Sequence, residues 1–317
     1  MRRALVTGGA GFIGSHVTDR LLAEEFEVHV VDDLSAGSPG NVSPAAELHE
    51  LDINSPAAGK LVAGAGFDVI VHCAAQMDVR KSVADPVFDA VSNVTGTLNL
   101  LEAIRRSGSS PRFVYTSTGG ALYGDFEAPP HVETIPKDPD SPYGVSKLSV
   151  EYYLAFYGRT YGLDYASLRF GNVYGPRQDP HSGAGVIGIF CDRIIERRPL
   201  TIFGDGLQTR DYTFVSDIVD AAWHAATRDL PPVERLDSRA FNVGTMVGTS
   251  MRDIAALLQA AAGTDLPVEL VRARVGEQQE SFVSIDKARK VLGWEPQVSL
   301  KDGLAVTYEW YVANRLT

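Results

Sequence analysis

The chain has 317 residues, 44% hydrophobic and 22% charged, which is enough to bury one large core or two modest ones. A net charge of −11 argues against nucleic acid as the main partner, and two cysteines are too few for a disulfide framework or a metal cluster. No apolar run reaches the length of a membrane span, and no secretory segment is evident. We therefore expect a cytoplasmic protein without a membrane partner or a bound metal.

The first forty residues predict a strand, a glycine-rich turn, a helix and a second strand. An apolar run over 4–7 is followed by Gly8, Gly11 and Gly14, and helical periodicity begins directly after them. Glycines let the backbone approach a pyrophosphate, whose charge then meets the N-terminus of the helix. Asp32 ends the second strand about 20 residues beyond the loop, where a carboxylate holds both ribose hydroxyls and repels a 2′-phosphate. This order predicts a site for NAD rather than NADP.

Strands and helices continue to alternate up to residue 171. Further strands are predicted over 69–73, 113–116 and 165–169, and a long helix over 86–106. Alternation without a long antiparallel run predicts an α/β fold with a Rossmann-like, doubly wound parallel sheet. Within the long helix, Asn93 either bridges the backbone and a cofactor or simply packs.

The stretch 141–147 predicts the start of another helix, over 145–157, with Ser141 as N-cap and Pro142 in its first turn. Tyr143 and Lys147 are four residues apart, so they share one helix face. A tyrosine that works as a base near neutral pH needs its pKa lowered by ~3 units, or ~4 kcal/mol. One unit charge at ~4 Å supplies ~4 kcal/mol at an effective dielectric of ~20. We therefore predict that Lys147 lowers the pKa of Tyr143, helped by a second positive charge such as an oxidised nicotinamide ring. The alternative is a surface tyrosine beside a solvated lysine, because the pattern alone is weak.

After residue 172 the chain becomes richer in loops. The stretch 173–183 is a polar loop, and a helix is predicted over 215–226 with Ser216 or Asp217 as its cap. We predict an NAD-binding Rossmann domain over 1–171, with returning segments near 212–246. Residues 172–317 are expected to form mainly a smaller α/β lobe for the substrate, with the cleft between the two lobes.

Together these residues resemble the extended short-chain dehydrogenases/reductases, in particular the NAD-dependent epimerase/dehydratase family. The likeness runs nearly end to end and is closest to the UDP-glucose (UDP-galactose) 4-epimerases. The resemblance implies that NAD contacts Gly8, Gly11, Phe12, Ile13, Gly14, Asp32, Asp33, Leu34, Asp52, Ile53, Ala74, Ala75, Asn93, Tyr143, Lys147 and Phe170.

The resemblance also implies catalytic roles. Tyr143 exchanges a proton with the 4-hydroxyl of the sugar, and Lys147 holds the nicotinamide ribose. The active-site hydroxyl is Thr118, with Ser117 as the alternative, although Thr118 stands five residues before Tyr123 where the family has four. The implied substrate-binding residues are Thr118, Tyr143, Asn172, Arg177, Arg210, Arg274 and Glu277.

The implied activity is that of a nucleotide-sugar 4-epimerase, an isomerase that oxidises its substrate transiently to a 4-keto sugar and returns the hydride to the other face. The expected substrate is a UDP-sugar, and the expected assembly is a homodimer through helices 86–106 and 146–157. A 4,6-dehydratase needs an acidic residue after Thr118, where this chain has Gly119 and Gly120. A non-catalytic NAD-sensing protein tends to lose Tyr143 or Lys147, and both are present.

Two other substrates stay open. Ser281 stands where a bulky residue restricts N-acetylated sugars in some epimerases, so a small side chain there leaves room for UDP-GlcNAc. UDP-glucuronate is also open, because Arg80, Lys81 or Arg177 can face a carboxylate.

Overall fold

The structure, a computed structural model, describes residues 2–125, 127–180, 185–273 and 278–315. Its strands are β1 Arg3–Thr7, β2 Glu27–Asp32, β3 Glu47–Glu50, β4 Val69–His72, β5 Arg112–Thr118, β6 Tyr165–Phe170, β7 Asn172–Tyr174, β8 Leu200–Phe203, β9 Thr209–Phe214, β10 Ala240–Val243, β11 Gly248–Ser250, β12 Val268–Val271 and β13 Glu280–Ser281.

The α-helices are α1 Phe12–Ala23, α2 Pro56–Gly64, α3 Val79–Ala84, α4 Pro86–Ala90, α5 Gly96–Ser107, α6 Pro142–Tyr161, α7 Val186–Ile195, α8 Val215–Thr227, α9 Met251–Ala262 and α10 Leu300–Arg315. Wider π-helical turns occupy Val91–Thr95 and Ala288–Leu292. Within the described ranges, no helix is both long and apolar enough to cross a membrane.

Across the described residues, seven parallel strands form the main sheet in the order β3-β2-β1-β4-β5-β6-β10. The strand order reverses between β1 and β4, which lie side by side. In open parallel sheets, ligands bind beyond the carboxyl ends of the strands at such a reversal. The predicted doubly wound parallel sheet is confirmed, and the glycine-rich turn after β1 lies at the reversal point.

The two faces of this sheet are covered by different helices. Val6 and Val114 are buried in a cluster that includes Ile218 of α8. Leu5 and Tyr115 are buried in another cluster, with residues of α5 and α6. Because successive strand residues point to opposite faces, β1 and β5 each contribute to both clusters. Each large apolar side chain buried this way stabilises the fold by ~1.5–3 kcal/mol.

The later elements form a separate buried cluster and two further sheets. β11, β9 and β13 are neighbours in one sheet, β7 pairs with β9, and β8 pairs with β12. The cluster beside them includes Tyr174, Phe190, Leu258 and Leu304. This arrangement brings β7, β9 and β13 alongside one another, close to the end of β6.

Several local predictions can be compared with the structure. Ser141 caps α6, and its hydroxyl accepts a hydrogen bond from the Gly144 amide at 3.1 Å, as predicted. The predicted cap of α8 is wrong. Phe214 occupies the cap position without a side-chain bond, while Asp217 lies inside the helix and accepts from the Val298 amide at 3.1 Å. The predicted long helix over 86–106 is interrupted by the π-helical turn that contains Asn93.

Candidate active site

The turn after β1 is a tightly packed cradle. Gly8 has φ +69°, and a Cβ there would lie 2.6 Å from the Ala74 amide nitrogen, so only glycine fits between β1 and β4. A Cβ on Gly14 would lie 2.8 Å from the Gly8 carbonyl carbon. Gly11 is the N-cap of α1 and has no side chain to bond the first amides of the helix. The cradle therefore leaves backbone donors at a helix N-terminus, which suits a pyrophosphate.

Asp32 closes one side of this cradle. Its two carboxylate oxygens accept from the Ala10 and Leu34 amides, both at 2.9 Å, and burial raises its pKa. Each oxygen keeps capacity to accept further bonds, as ribose hydroxyls require. A glycine cradle with a buried carboxylate at its edge fits NAD. Asp33 is exposed and accepts from Ser35, so it shapes the turn after β2.

Two other candidates for adenosine contacts follow β3. Asp52 is exposed and accepts from the Asn54 amide at 2.8 Å, which fixes the turn before α2. Ile53 is buried and would contact any Cβ on Gly96. Both residues follow the carboxyl end of β3, next to Asp32 at the carboxyl end of β2, because β2 and β3 are parallel neighbours.

Asn93 holds the turn that follows β4. Its side-chain oxygen accepts from the Gln76 amide at 2.9 Å, and its amide group donates to the Gln76 carbonyl at 3.0 Å. The same amide group donates to Asp89 at 3.1 Å. These bonds use both the oxygen and the amide group of the Asn93 side chain, so Asn93 positions the turn that contains Ala74 and Ala75.

The Tyr143 face of α6 lies against the end of β5. The Lys147 ammonium donates to the Thr116 carbonyl at 2.9 Å, and it lies 5.8 Å from the centre of the Tyr143 ring. Burial lowers the pKa of Lys147 to about 8, so its charge is mostly retained at pH 7. Lys147 is buried and Tyr143 is partly buried, which excludes the interpretation of a solvated surface pair.

The predicted pKa of Tyr143 is wrong for the protein alone. Burial raises the pKa of the phenol above its usual value, and the nearby Asp89 carboxylate raises it further. The prediction from the sequence included the attraction of Lys147 but neither the desolvation of the phenol nor the negative charge of Asp89. In the protein alone, burial and Asp89 therefore outweigh any effect of the Lys147 charge on the pKa of Tyr143.

The two hydroxyl candidates at the end of β5 differ in their surroundings. The Ser117 hydroxyl donates to Glu151 at 2.6 Å, and Glu151 also pairs with the buried Arg169. Thr118 is the last residue of β5, and no described side chain or backbone group bonds its hydroxyl. Ser117 thus belongs to a buried ionic cluster, while the Thr118 hydroxyl has no hydrogen-bond partner among the described residues.

Two of the residues predicted to bind the substrate lie on β7 and β9, and β9 also pairs with β13. Asn172 begins β7, and a Cβ on Gly120 would lie 3.7 Å from its side-chain oxygen. Arg210 of β9 pairs in register with Ser281 of β13. The Arg210 guanidinium donates to the Thr209 carbonyl at 2.7 Å, and no carboxylate of the described chain pairs with it. Arg210 is therefore a cation that suits a diphosphate.

Four further predicted ligands, Arg177, Phe12, Ile13 and Phe170, lie within the described residues. Arg177 forms an ion pair with Asp19 of α1 at 2.8 Å, which leaves its charge already compensated. Arg274 and Glu277 lie outside the described residues. Phe12 and Ile13 begin α1, and Phe170 ends β6 in the core.

Sequence reasoning missed Asp89. This buried carboxylate accepts from Gln76 Nε2 at 2.9 Å and from the Ser146 hydroxyl at 2.6 Å, in addition to Asn93. It thereby joins the turn after β4 to α6, next to Tyr143. The one available signal was its i, i+4 spacing to Asn93, which predicts a shared helix face.

Comparison with known proteins agrees with this geometry. The family model described as the NAD dependent epimerase/dehydratase family matches residues 4–244. A UDP-glucose 4-epimerase of Mycolicibacterium smegmatis is 44% identical, with 98% of each chain covered. The solved structure of a UDP-glucose 4-epimerase with UDP-glucose from Thermotoga maritima has a TM-score of 0.92 at 40% identity, with 99% of each chain covered. A Thermus thermophilus UDP-glucose 4-epimerase in complex with NAD has a TM-score of 0.89 at 40% identity, covering 98% of this chain and 99% of that one. The chain therefore belongs to the NAD-dependent epimerase/dehydratase family, and its cofactor is NAD.

Proposed function

We propose that this protein interconverts UDP-glucose and UDP-galactose by transient oxidation at C4 of the sugar. The observation that carries the proposal is the Tyr143–Lys147 pair. The pair lies at the carboxyl end of β5, and the glycine cradle lies at the carboxyl end of β1 in the same parallel sheet. When bound, NAD would accept the hydride from C4 of the sugar and return it. The division into a cofactor domain and a substrate lobe, and a cytoplasmic location, stay predictions.

In this proposal the chain handles the proton and the position of the sugar. Tyr143 takes the proton of the 4-hydroxyl and later returns it, and Lys147 supplies the fixed positive charge that stabilises the phenolate. Thr118 bonds the same sugar oxygen. Arg210 anchors the diphosphate, so the 4-keto sugar is free to turn and present its other face.

The position after Thr118 favours epimerisation over 4,6-dehydration. A Cβ on Gly119 would lie 2.9 Å from Val283 and 3.1 Å from the Arg169 carbonyl. An acidic side chain at this position would therefore overlap its neighbours. This supports an isomerase without the additional acid that dehydration needs.

The experiment that tests the function is incubation of the purified protein with UDP-glucose, UDP-GlcNAc, UDP-glucuronate and dTDP-glucose in separate reactions without added NAD. We expect UDP-galactose from UDP-glucose. A keto-deoxy product would replace the proposal by a dehydratase. Turnover only with NADPH consumption would replace it by a reductase.

UDP-GlcNAc is a second candidate substrate, favoured by Ser281. This small residue is buried and lies beside Arg210 in the sheet. Replacing Ser281 by Tyr is expected to suppress turnover of UDP-GlcNAc and to spare that of UDP-glucose. UDP-glucuronate is less favoured, because Arg80 pairs with Asp78 at 3.0 Å and Arg177 with Asp19.

We further propose a homodimer through α4 and α6. Val87 and Phe88 of α4 are exposed, as are Tyr152, Tyr153 and Phe156 of α6. Helices α4 and α6 pack together, so these side chains form one apolar surface that a second copy covers. Sedimentation of the wild type and of Phe156→Glu tests this: a dimer that dissociates in the variant supports it, and a wild type that is monomeric throughout contradicts it.

A further inference from the structure

The edge of the main sheet farthest from α6 carries a cluster of two histidines and a glutamate. His29 lies on β2, and Glu47 and His49 lie on the edge strand β3. His29 is the register partner of Glu47, and His49 is two residues further along β3, so all three side chains stand on one face of the sheet. None of them has a part in the epimerase site.

We propose that His29, His49 and Glu47 bind a divalent transition-metal ion such as Zn²⁺ or Ni²⁺. Their donor atoms already converge: His29 Nδ1 is 2.9 Å from His49 Nε2, and the Glu47 carboxylate oxygens are 3.5 Å from each of these nitrogens. Donors placed ~2.0–2.2 Å from one tetrahedral metal are ~3.3–3.5 Å apart. The observed donor–donor distances of 2.9 and 3.5 Å lie close to this distance, so small side-chain rotations complete the site.

A carboxylate behind His29 sets the orientation of its ring. His29 Nε2 lies 3.2 Å from Glu27 Oε1, which accepts from an Nε2–H, and 3.1 Å from Arg3, which donates to an unprotonated Nε2. In the tautomer that donates to Glu27, the Nδ1 lone pair faces His49 and Glu47. Protein-bound metals use this carboxylate–histidine arrangement to fix the tautomer of a ligand. The Phe67 ring packs edge-on against His29 at 5.3 Å and limits its rotation.

Nearby charges are compatible with a cation. Arg3 reaches within 3.1 Å of His29 Nε2, but its guanidinium is 2.8 Å from Glu27, on the opposite side of the ring from Nδ1. Glu47 provides negative charge on the metal side.

Access and donor chemistry define the kind of ion. Glu47 has 64% of its side chain exposed, so an ion enters from solvent at that side, and water completes the coordination. Two imidazoles and one carboxylate suit Zn²⁺, Ni²⁺ or Cu²⁺, whereas Mg²⁺ and Ca²⁺ prefer sets of oxygen ligands. A bound ion ties the edge strand β3 to β2. It therefore stabilises the segment that leads to Asp52.

The test measures binding of Zn²⁺ alone to the untagged full chain, by equilibrium dialysis with elemental analysis. The wild type is expected to bind one ion per chain, and Mg²⁺ at the same concentration is expected not to compete. Glu47→Gln and His49→Gln should weaken binding by more than ~10-fold, since each removes a ligand. Glu50→Gln is the matched control, because Glu50 is exposed on the same strand and points to the opposite face.

A second measurement separates loss of the site from loss of the fold. Zn²⁺ should raise the unfolding temperature of the wild type and of Glu50→Gln, but not that of Glu47→Gln. Because the Glu47 side chain is exposed, the substitution is expected to leave the fold intact. Epimerisation should be unchanged in Glu47→Gln, so the outcome is independent of the proposed activity. Absence of Zn²⁺ binding by the wild type, or equal binding by the Glu47→Gln/His49→Gln double variant, would overturn the proposal.

Discussion

Gly14→Ala tests whether the glycine turn is a close-packed cradle for the cofactor. The new Cβ would lie 2.8 Å from the Gly8 carbonyl carbon and 2.9 Å from Gly9 Cα. Both neighbours are backbone atoms, so no side-chain rotation relieves the overlap and the turn has to move. Overpacking of this kind costs ~1–3 kcal/mol of folding free energy. Loss of one amide bond to a charged pyrophosphate costs a further ~1.5–3 kcal/mol of binding, which is ~10–150-fold weaker affinity for NAD.

The assays are calorimetric titration of NAD into the full chain after bound nucleotide has been removed, and urea unfolding of the full chain. Gly64→Ala is the matched control, because Gly64 ends α2 and a Cβ there would meet nothing within 4 Å. This control should stabilise the protein by ~0.5–1 kcal/mol and leave NAD affinity unchanged. If Gly14→Ala binds NAD and unfolds like the wild type, the packing argument for the cradle is refuted.

Three further predictions concern charged residues. Burial lowers the pKa of Lys147 in the folded chain to about 8 from its usual 10.5. Between these two pH values, the unfolded chain therefore holds a proton that the native chain has released. Stability of the wild type relative to Lys147→Met should therefore rise by ~3 kcal/mol from pH 7 to pH 10.5, and a flat difference in urea unfolding would contradict the assigned burial. Arg210→Ala should raise KM for UDP-glucose ~10–150-fold through loss of a charged hydrogen bond, whereas the exposed Arg106→Ala should leave KM unchanged in steady-state kinetics. Asp89→Asn removes a negative charge beside Tyr143, so the acid limb of the pH–rate profile should move to lower pH, and a limb that stays in place would argue against the coupling.

The fold and the order of the site residues were predictable because they depend on local signals. The spacing of Gly8, Gly11 and Gly14 marks a turn in which only glycine fits at positions 8 and 14, and Asp32 follows at the end of the next strand. Ser141 has a side chain that caps a helix without help from elsewhere in the chain. Such features need a few neighbouring residues, so the sequence alone specifies them.

The rest depended on contacts between distant segments. Asp217 does not cap α8, because its carboxylate is engaged by the amide of Val298. Arg177 is paired with Asp19, which is distant in sequence. The pKa of Tyr143 follows from burial and from Asp89, both of which result from tertiary packing. Sequence patterns identify these residues but do not give their surroundings.

Following deuterium placed at C4 of UDP-glucose tests the central claim most directly. If Tyr143 takes the hydroxyl proton while the C4 hydrogen leaves and returns as hydride, UDP-galactose formed in ordinary water should carry all of the deuterium at C4 by NMR. Replacement of the deuterium by hydrogen from water would contradict the account, because it would require removal of the C4 hydrogen as a proton.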